Sequence, residues 1–473
     1  MISKTLRRLV CVMAFAYLLQ PVCLTAQTPV NASLAALLQQ KLDSCVNAFN
    51  VPGISATILF PGNRVWQSAS GLSHIYNQTP MDTSRLFSQA SVTKMFTSAM
   101  ILQLVDQGEL SLDDPIGQYL PVLPHVNSAI KIRSLLNHRS GIHDFIAGNN
   151  ATAQSWFSAP FVVWDPEDAI TTFIQAPNFS ENAAFSYSNT NYVLLGMIIE
   201  NVTGSSFAEA LHSRFLEPYG LTRTFFPPQD VVPGPLATGW TSFTAPNVYN
   251  TDAAPIYNPS SLSMIFTAGA MFSLPADVSR FTRLLYSGEI LSDSMLNILK
   301  TCTNVNFGDG CNGYGHGSMR YNFSGKTYFG HAGDFSGVTQ LSIHQEEDEI
   351  TLTLSINRNN APRNPITAAL LQVVRDNPLT TNASEVSPIA ENLVVWPNPS
   401  TGPARIHGTL LMGGYGMLEI TDIAGRILTA QNLGNLPPGD FEYPIETAGL
   451  SPGIYSCRLI LENGSASTRL MIQ

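Results

Sequence analysis

The sequence predicts an α+β fold: one large domain whose two ends share an antiparallel sheet flanked by helices, followed by a small all-β sandwich. Three observations predict it. Strand-like runs stand early, at 54–60 and 65–70, and return late, at 327–330, 339–344 and 350–356. Between them, from about 111 to 260, the chain is rich in Pro, Asn and short helical pieces. Strands at both ends with helices inserted between them pack as layers. After Asn377 the composition shifts to short strands with Gly and Pro turns and no helical period, as in a sandwich.

Taken in order, residues 1–27 read as a secretory signal peptide. Lys4, Arg7 and Arg8 precede an apolar run over 9–19, and a small-residue site follows at Ala26-Gln27. The run is too short for a membrane span, so no transmembrane segment is expected. Pro21-Val22 before Cys23 lacks the small residue of a lipidation site. Residues 32–49 place Leu34, Leu37, Leu38 and Leu42 on one side of a helix. Pro61-Gly62-Asn63 is the turn between the first two strands. A helix opening at Ser91 carries Met95, Phe96, Met100, Ile101 and Leu102 and ends near Asp106-Gln107-Gly108. A closing helix over 365–374 completes a domain spanning 28–377. Residues 378–391, with Thr380-Thr381-Asn382-Ala383-Ser384 and Ser387-Pro388, read as a linker to a last domain at 392–473.

Bulk properties exclude some classes. The 473-residue chain has formal net charge −10 and only 12% charged residues, so no basic surface tracks phosphates and nucleic acid is not a partner. Four of six cysteines remain after signal cleavage: Cys45, Cys302, Cys311 and Cys457. In an exported chain Cys302 and Cys311 either close a short loop or stay free thiols. No His/Cys/Asp cluster has metal-ligand spacing, so neither metal nor cofactor is expected.

Three short motifs, in order, supply complementary chemistry. Ser91-Val92-Thr93-Lys94 puts a hydroxyl and an amine one helical turn apart. A serine hydroxyl becomes a nucleophile when a neighbouring base takes its proton, and a desolvated lysine is such a base. Spacing alone is weak, since Ser128-Ala129-Ile130-Lys131 matches too, but no long apolar helical face follows that copy. Among fifteen tyrosines only Tyr187 has Asn two residues on, in Tyr187-Ser188-Asn189. A Lys94 ammonium beside Tyr187 favours the phenolate, which makes Tyr187 a second candidate base. Asn189 offers an amide to the substrate and to Lys94. The single His-x-Gly, His331-Ala332-Gly333, ends a predicted strand. There Gly333 admits an extended substrate to the strand edge, and the N–H groups of Ser91 and Asp334 are the expected oxyanion hole.

This trio resembles the serine β-lactamase and penicillin-binding protein family, in the branch of class C β-lactamases, D-alanyl-D-alanine carboxypeptidases and esterases. Residues 102–110, Leu135-Leu136-Asn137-His138-Arg139-Ser140-Gly141-Ile142 and Ala268-Gly269-Ala270-Met271-Phe272-Ser273 extend the likeness over about 34–376. It implies a β-lactamase/transpeptidase-like fold and an exported serine hydrolase working through an acyl-enzyme. Ser91, Lys94 and Tyr187 are then catalytic, and Asn189, His331, Ala332, Gly333 and Asp334 bind substrate. The expected partner is a small peptide, ester or β-lactam, and the expected state is a monomer. Class C enzymes carry Lys-Thr-Gly where this chain has His331-Ala332-Gly333. A histidine, only partly charged near neutral pH, attracts a carboxylate less than lysine does. Ala332 lacks a hydroxyl and Asp334 adds negative charge, so an ester or modified peptide gains over a ligand with a free carboxylate. No Glu-x-x-x-Asn lies between the second and third motifs, which excludes class A deacylation by a glutamate. True β-lactamase activity and a non-catalytic muropeptide-binding role are the alternatives. His138 reads as structural, His143-Asp144 as a solvated turn and Trp240 as a cleft wall.

At the other end, Trp396-Pro397-Asn398-Pro399-Ser400-Thr401-Gly402, residues 418–426 and Gly449-Leu450-Ser451-Pro452-Gly453-Ile454-Tyr455 follow in order. Together they resemble the C-terminal sorting domain read by the type IX secretion machinery. That implies passage across the outer membrane, directed by residues 392–473, to the cell surface or exterior. A carbohydrate-binding sandwich is the competing reading.

Overall fold

The computed structural model describes residues 27–242, 249–307, 310–379, 390–421, 427–447, 449–461 and 464–472. The predicted signal peptide up to Ala26, Cys23 within it, and residues 380–389 of the predicted linker lie outside the described residues. Gln27–Asp376 form one compact unit, and the chain from Asn377 onward belongs to a second.

In the first unit, Asn31 caps α1 (Ala32–Ala48) by accepting from the Leu34 N–H. The helix buries Leu34, Leu38, Leu42 and Cys45. Leu37, placed on that face from the sequence, is exposed. β1 (Gly53–Phe60) and β2 (Arg64–His74) form a hairpin, α2 (Thr93–Asp106) and α3 (Asn189–Thr203) form the helical heart, and α4 (Pro275–Tyr286) returns to the sheet. Then come β3 (Cys311–Tyr314), β4 (Met319–Phe323), β5 (Lys326–Phe335), β6 (Val338–Gln345), β7 (Ile350–Ile356) and α5 (Arg363–Asp376).

The sheet runs β2-β1-β7-β6-β5-β4-β3, antiparallel throughout, with Thr28–Pro29 added in parallel along β2. Early and late strands meet where Ile54 lies opposite Ile356, as the sequence predicts. Every residue of β1, β6 and β7 is buried, so both sheet faces are covered. α4 packs on β1, β6 and β7, while α1 and α5 pack on each other and on the sheet. The sequence did not announce β3 and β4. They are short and interrupted by Gly313, Asn312 and Asn322, so they lack the apolar alternation that signals a strand.

α2 has no polar face. Phe96 stacks on Phe281 with ring centroids 3.5 Å apart, and Thr93 through Leu102 are all buried. A helix buried all round carries its polar residues into the core, and Lys94 is one of them. Cys45, Cys302 and Cys457 are free thiols. Cys311 donates to the Gly313 carbonyl at 3.2 Å, so the Cys302–Cys311 bridge is not formed.

In the second unit, β8 (Ala390–Trp396), β9 (Ala404–Leu410) and β12 (Gly439–Ile445) make one sheet. β10 (Gly414–Thr421), β11 (Ile427–Leu436), β13 (Gly453–Leu461) and β14 (Gly464–Ile472) make another. Val395 and Ile406 from the first pack with Leu418, Ile420, Cys457 and Leu470 from the second. This is sandwich packing, with the apolar inner faces of two sheets sharing one core.

Candidate active site

Ser91 sits in a single 3₁₀ turn, Ala90–Val92, immediately before α2. Ala90 has φ +47°, a left-handed conformation that costs a non-glycine residue about 1–2 kcal/mol. This kink turns the chain from the short strand Phe87–Ser88 into the helix and leaves Ser91 half-buried at the helix mouth.

Lys94, one turn on, is fully buried. Its Nζ lies 3.0 Å from Ser91 Oγ, 2.8 Å from Asn189 Oδ1 and 2.7 Å from the Ala268 carbonyl oxygen. Burial pulls the amine down to about 7, against the opposing pull of the Asp144 carboxylate. A neutral amine has two N–H donors and one lone pair. Two of its neighbours are carbonyl oxygens that only accept, so the lone pair is left for the Ser91 hydroxyl. The Ala268 carbonyl is fixed by a turn wedged between α2 and α3. Thr97 donates to the Thr267 carbonyl at 2.8 Å, and Thr267 donates to the Tyr192 carbonyl at 2.7 Å. Gly196 on α3 permits that approach, because a Cβ there would stand 2.3 Å from Thr267 Oγ1.

Asn189 opens α3 and is itself held. Asp144 Oδ2 accepts from the Asn189 backbone N–H at 3.0 Å and from Nδ2 at 2.8 Å, which turns Oδ1 toward Lys94. Asp144 Oδ1 accepts from the N–H groups of Ile146 and Ala147 at 2.9 and 3.0 Å. His143-Asp144 is therefore not a solvated turn. Asp144 is the anchor of the second motif, and sequence reading missed it because its contact crosses 45 residues with no spacing rule.

Tyr187 converges on the same point, with Lys94 Nζ 4.9 Å from its ring centroid. Its hydroxyl is buried and makes no hydrogen bond of ordinary geometry, although the nearby Ser91 hydroxyl favours ionisation. Burial dominates and holds the phenol well above its usual value. Burial thus works against the expected Tyr187 phenolate. At neutral pH the group with an accessible basic form is Lys94, and Tyr187 keeps its proton.

β5 supplies the third side. β4 hydrogen-bonds along β5 only as far as Gly330, so the edge beyond it is open toward Ser91. A Cβ on Gly333 would stand 2.6 Å from the Gln89 carbonyl oxygen and 3.0 Å from the Ser91 nitrogen. Gly333→Ala is expected to push the strand off the Ser91 turn, lowering stability by about 1–3 kcal/mol and slowing acylation by roughly tenfold or more. Thermal melts and labelling by a fluorescent penicillin check both effects; unchanged labelling would show that this approach is dispensable.

His331, expected to bind substrate, does not line the cavity over Ser91. It is fully buried, its Nε2 lies 3.1 Å from the Tyr314 hydroxyl, and burial with the nearby Lys94 pulls it down to about 3. It is neutral rather than partly charged. Ala332 is also buried. Asp334 is half-exposed; it pairs with Arg363 and accepts from Thr339 Oγ1 at 3.0 Å. Its negative charge is thus matched, which the sequence did not foretell. Trp240 is not a cleft wall either. It is fully buried against His74 and Tyr76. The tryptophan at the cleft is Trp156.

The cavity over Ser91 measures about 310 Å³, within the range of small-molecule sites. Ser91, Asn189 and Asp334 line it, with an apolar wall of Ile146, Ala153, Trp156, Ile265 and Phe335. Among the described residues no basic side chain lines it.

Comparison with known proteins agrees with this geometry. The Beta-lactamase family profile matches residues 35–375, and that of a secretion system C-terminal sorting domain matches 394–473. Penicillin-binding protein 4* of Bacillus subtilis (strain 168) is 26% identical over 316 residues, covering 63% of this chain and 66% of that protein. Among solved structures, the D-amino acid amidase from Ochrobactrum anthropi SV3 is 28% identical with a TM-score of 0.65, covering 72% of this chain and 99% of that one. The D-stereospecific amidohydrolase from Streptomyces sp. is also 28% identical, with a TM-score of 0.61 over 72% and 97%. The sorting domain is of the type IX class and indicates secretion to the cell surface or exterior, and no described helix is long and apolar enough to cross a membrane. The chain therefore belongs to the beta-lactamase family of serine hydrolases.

Proposed function

We propose that this chain hydrolyses small amides or esters through an acyl-enzyme on Ser91. The observation that carries the proposal is the set of three contacts at Lys94 Nζ: once the amine is neutral, the two carbonyl oxygens take its N–H groups and its lone pair is left for the Ser91 hydroxyl. Lys94 takes the Ser91 proton, Tyr187 donates one to the leaving group, and the N–H groups of Ser91 and Asp334 receive the oxyanion. Asn189 holds Lys94 and meets the substrate. Water then releases the acyl group.

The cavity supports a substrate with an apolar group and no obligatory free carboxylate, because its wall is apolar and, among the described residues, no basic side chain lines it. Amino acid amides fit this description. The Ochrobactrum amidase has been solved with D-phenylalanine and with L-phenylalanine amide. Carboxypeptidase action on D-alanyl-D-alanine peptides ranks second, since it needs a carboxylate held without a lysine or a charged histidine. The penicillin-binding relative favours β-lactam acylation with slow release as a side reaction.

The test is a panel of D-phenylalanine amide, p-nitrophenyl esters, D-alanyl-D-alanine peptides and nitrocefin. Amide and ester are expected to exceed the carboxylate-bearing peptide in kcat/KM by roughly tenfold or more. Preference for the peptide would overturn the substrate reading, and no turnover of any of them would favour a binding protein.

A further inference from the structure

Behind the catalytic groups runs a buried chain of polar side chains that none of the three motifs explains. Tyr314 stands at its centre, fully buried. Its hydroxyl lies 3.1 Å from His138 Nε2 and 3.1 Å from His331 Nε2. The other ends determine which way each bond runs. His138 Nδ1 is approached by the Ser188 N–H at 3.2 Å and the Asn191 amide at 3.2 Å, with Ser188 a backbone donor. Nδ1 therefore accepts, and the ring proton sits on Nε2. His331 Nδ1 lies 2.5 Å from the Ala332 carbonyl, which only accepts, so in this ring the proton sits on Nδ1 and Nε2 accepts. Tyr314 then accepts from His138 and donates its single proton to His331. Only this direction satisfies every member.

The chain ends at a place that matters for the reaction. The β4–β5 turn, Ser324-Gly325, has positive φ at both residues, so Phe323 and Lys326 form a hydrogen-bonded pair. Alternation along the ladder makes Gly330 a bonded partner of Met319, and Ala332 and Asp334 face the same side. β4 has ended there, leaving their backbone groups without a strand partner. The His331 ring fills the gap at the Ala332 carbonyl, and Met319 Sδ lies 3.5 Å from the Ala332 nitrogen. With that peptide pinned, Asp334 follows on the same side of the edge, just past Gly333, whose ideal Cβ position lies 3.0 Å from the Ser91 nitrogen.

We infer that Tyr314 is a positioning residue: through the tautomer of His331 it clamps the Ala332 carbonyl and so aims the open strand edge that receives the oxyanion. This rests on the hydrolase reading above. Its direct test needs no activity. Nitrogen-15 spectra of the full-length wild-type protein are expected to show one buried neutral histidine protonated at Nδ1, assigned to His331, and one protonated at Nε2, assigned to His138. A His331 protonated at Nε2, or one that titrates as an ordinary exposed imidazole, would overturn the inference. Tyr314→Phe removes only the oxygen. It is expected to lower kcat for p-nitrophenyl ester hydrolysis by roughly ten- to hundredfold with KM little changed, to weaken a boronic acid inhibitor in parallel, and to alter the His331 signature. A folded Tyr314→Phe protein with wild-type kcat would also overturn it. Loss of ester hydrolysis in the wild type itself would sink the hydrolase reading while leaving the tautomer measurement standing.

Discussion

Ser91→Ala is expected to abolish covalent labelling by a fluorescent penicillin or a fluorophosphonate and to cut turnover on the order of 10⁴–10⁶-fold. The size follows from the division of labour. Without an acyl acceptor, Lys94, Asn189 and the strand edge still bind and polarise substrate, but no covalent intermediate forms. The side chain is half-exposed at the end of a short turn, so its loss leaves the fold intact. Intact-mass analysis after incubation with a slow β-lactam reads the result. A mass increase on the Ser91→Ala protein equal to that on wild type would place the nucleophile elsewhere.

The second large effect is expected at Lys94. Lys94→Met removes the base and lowers the acylation rate by about 10²–10⁴-fold, while Ser91 stays in place. Stability moves the other way. Folding pulls this amine from 10.5 to about 7. Between those values the unfolded chain binds a proton that the folded chain has shed, so stability from this group rises with pH across the window. Below it the full cost of burying the group is present. Lys94→Met removes both the cost and the slope. Denaturant titrations at a pH below 7 and one near 9 should show the variant more stable than wild type at the lower pH, with the gap narrowing at the higher. A variant less stable than wild type at low pH would contradict the burial account.

The parts of this site that carry chemistry within a few residues of each other were legible in the sequence. Ser91 and Lys94 lie one turn apart and Tyr187 and Asn189 two residues apart; Gly333, expected to admit a substrate at the strand edge, is where that strand meets the Ser91 turn. The pairing of early and late strands was legible too, because β1 and β7 carry apolar residues at alternate positions, Ile54, Ala56 and Ile58 in one and Ile350, Leu352, Leu354 and Ile356 in the other. What stayed hidden depends on contacts between distant segments. Asp144 reads as a polar residue in a loop until its carboxylate is seen spanning the N-terminus of α3. Tyr314 is one tyrosine among fifteen, on a strand too broken by glycine and asparagine to be recognised. The charge states of Tyr187 and His331 were misread for one reason. The expectation for Tyr187 weighed a neighbouring charge and that for His331 the ordinary imidazole range, whereas burial, invisible in the sequence, is the larger effect at each.

The most direct measurement is the pH dependence of single-turnover acylation by a reporter ester, followed between about pH 5 and 9. If a buried, neutral Lys94 activates Ser91, the rate rises through one apparent pKa near 7 and then levels off. A rate that is flat across this range, or that keeps climbing toward the ordinary tyrosine range, would contradict it.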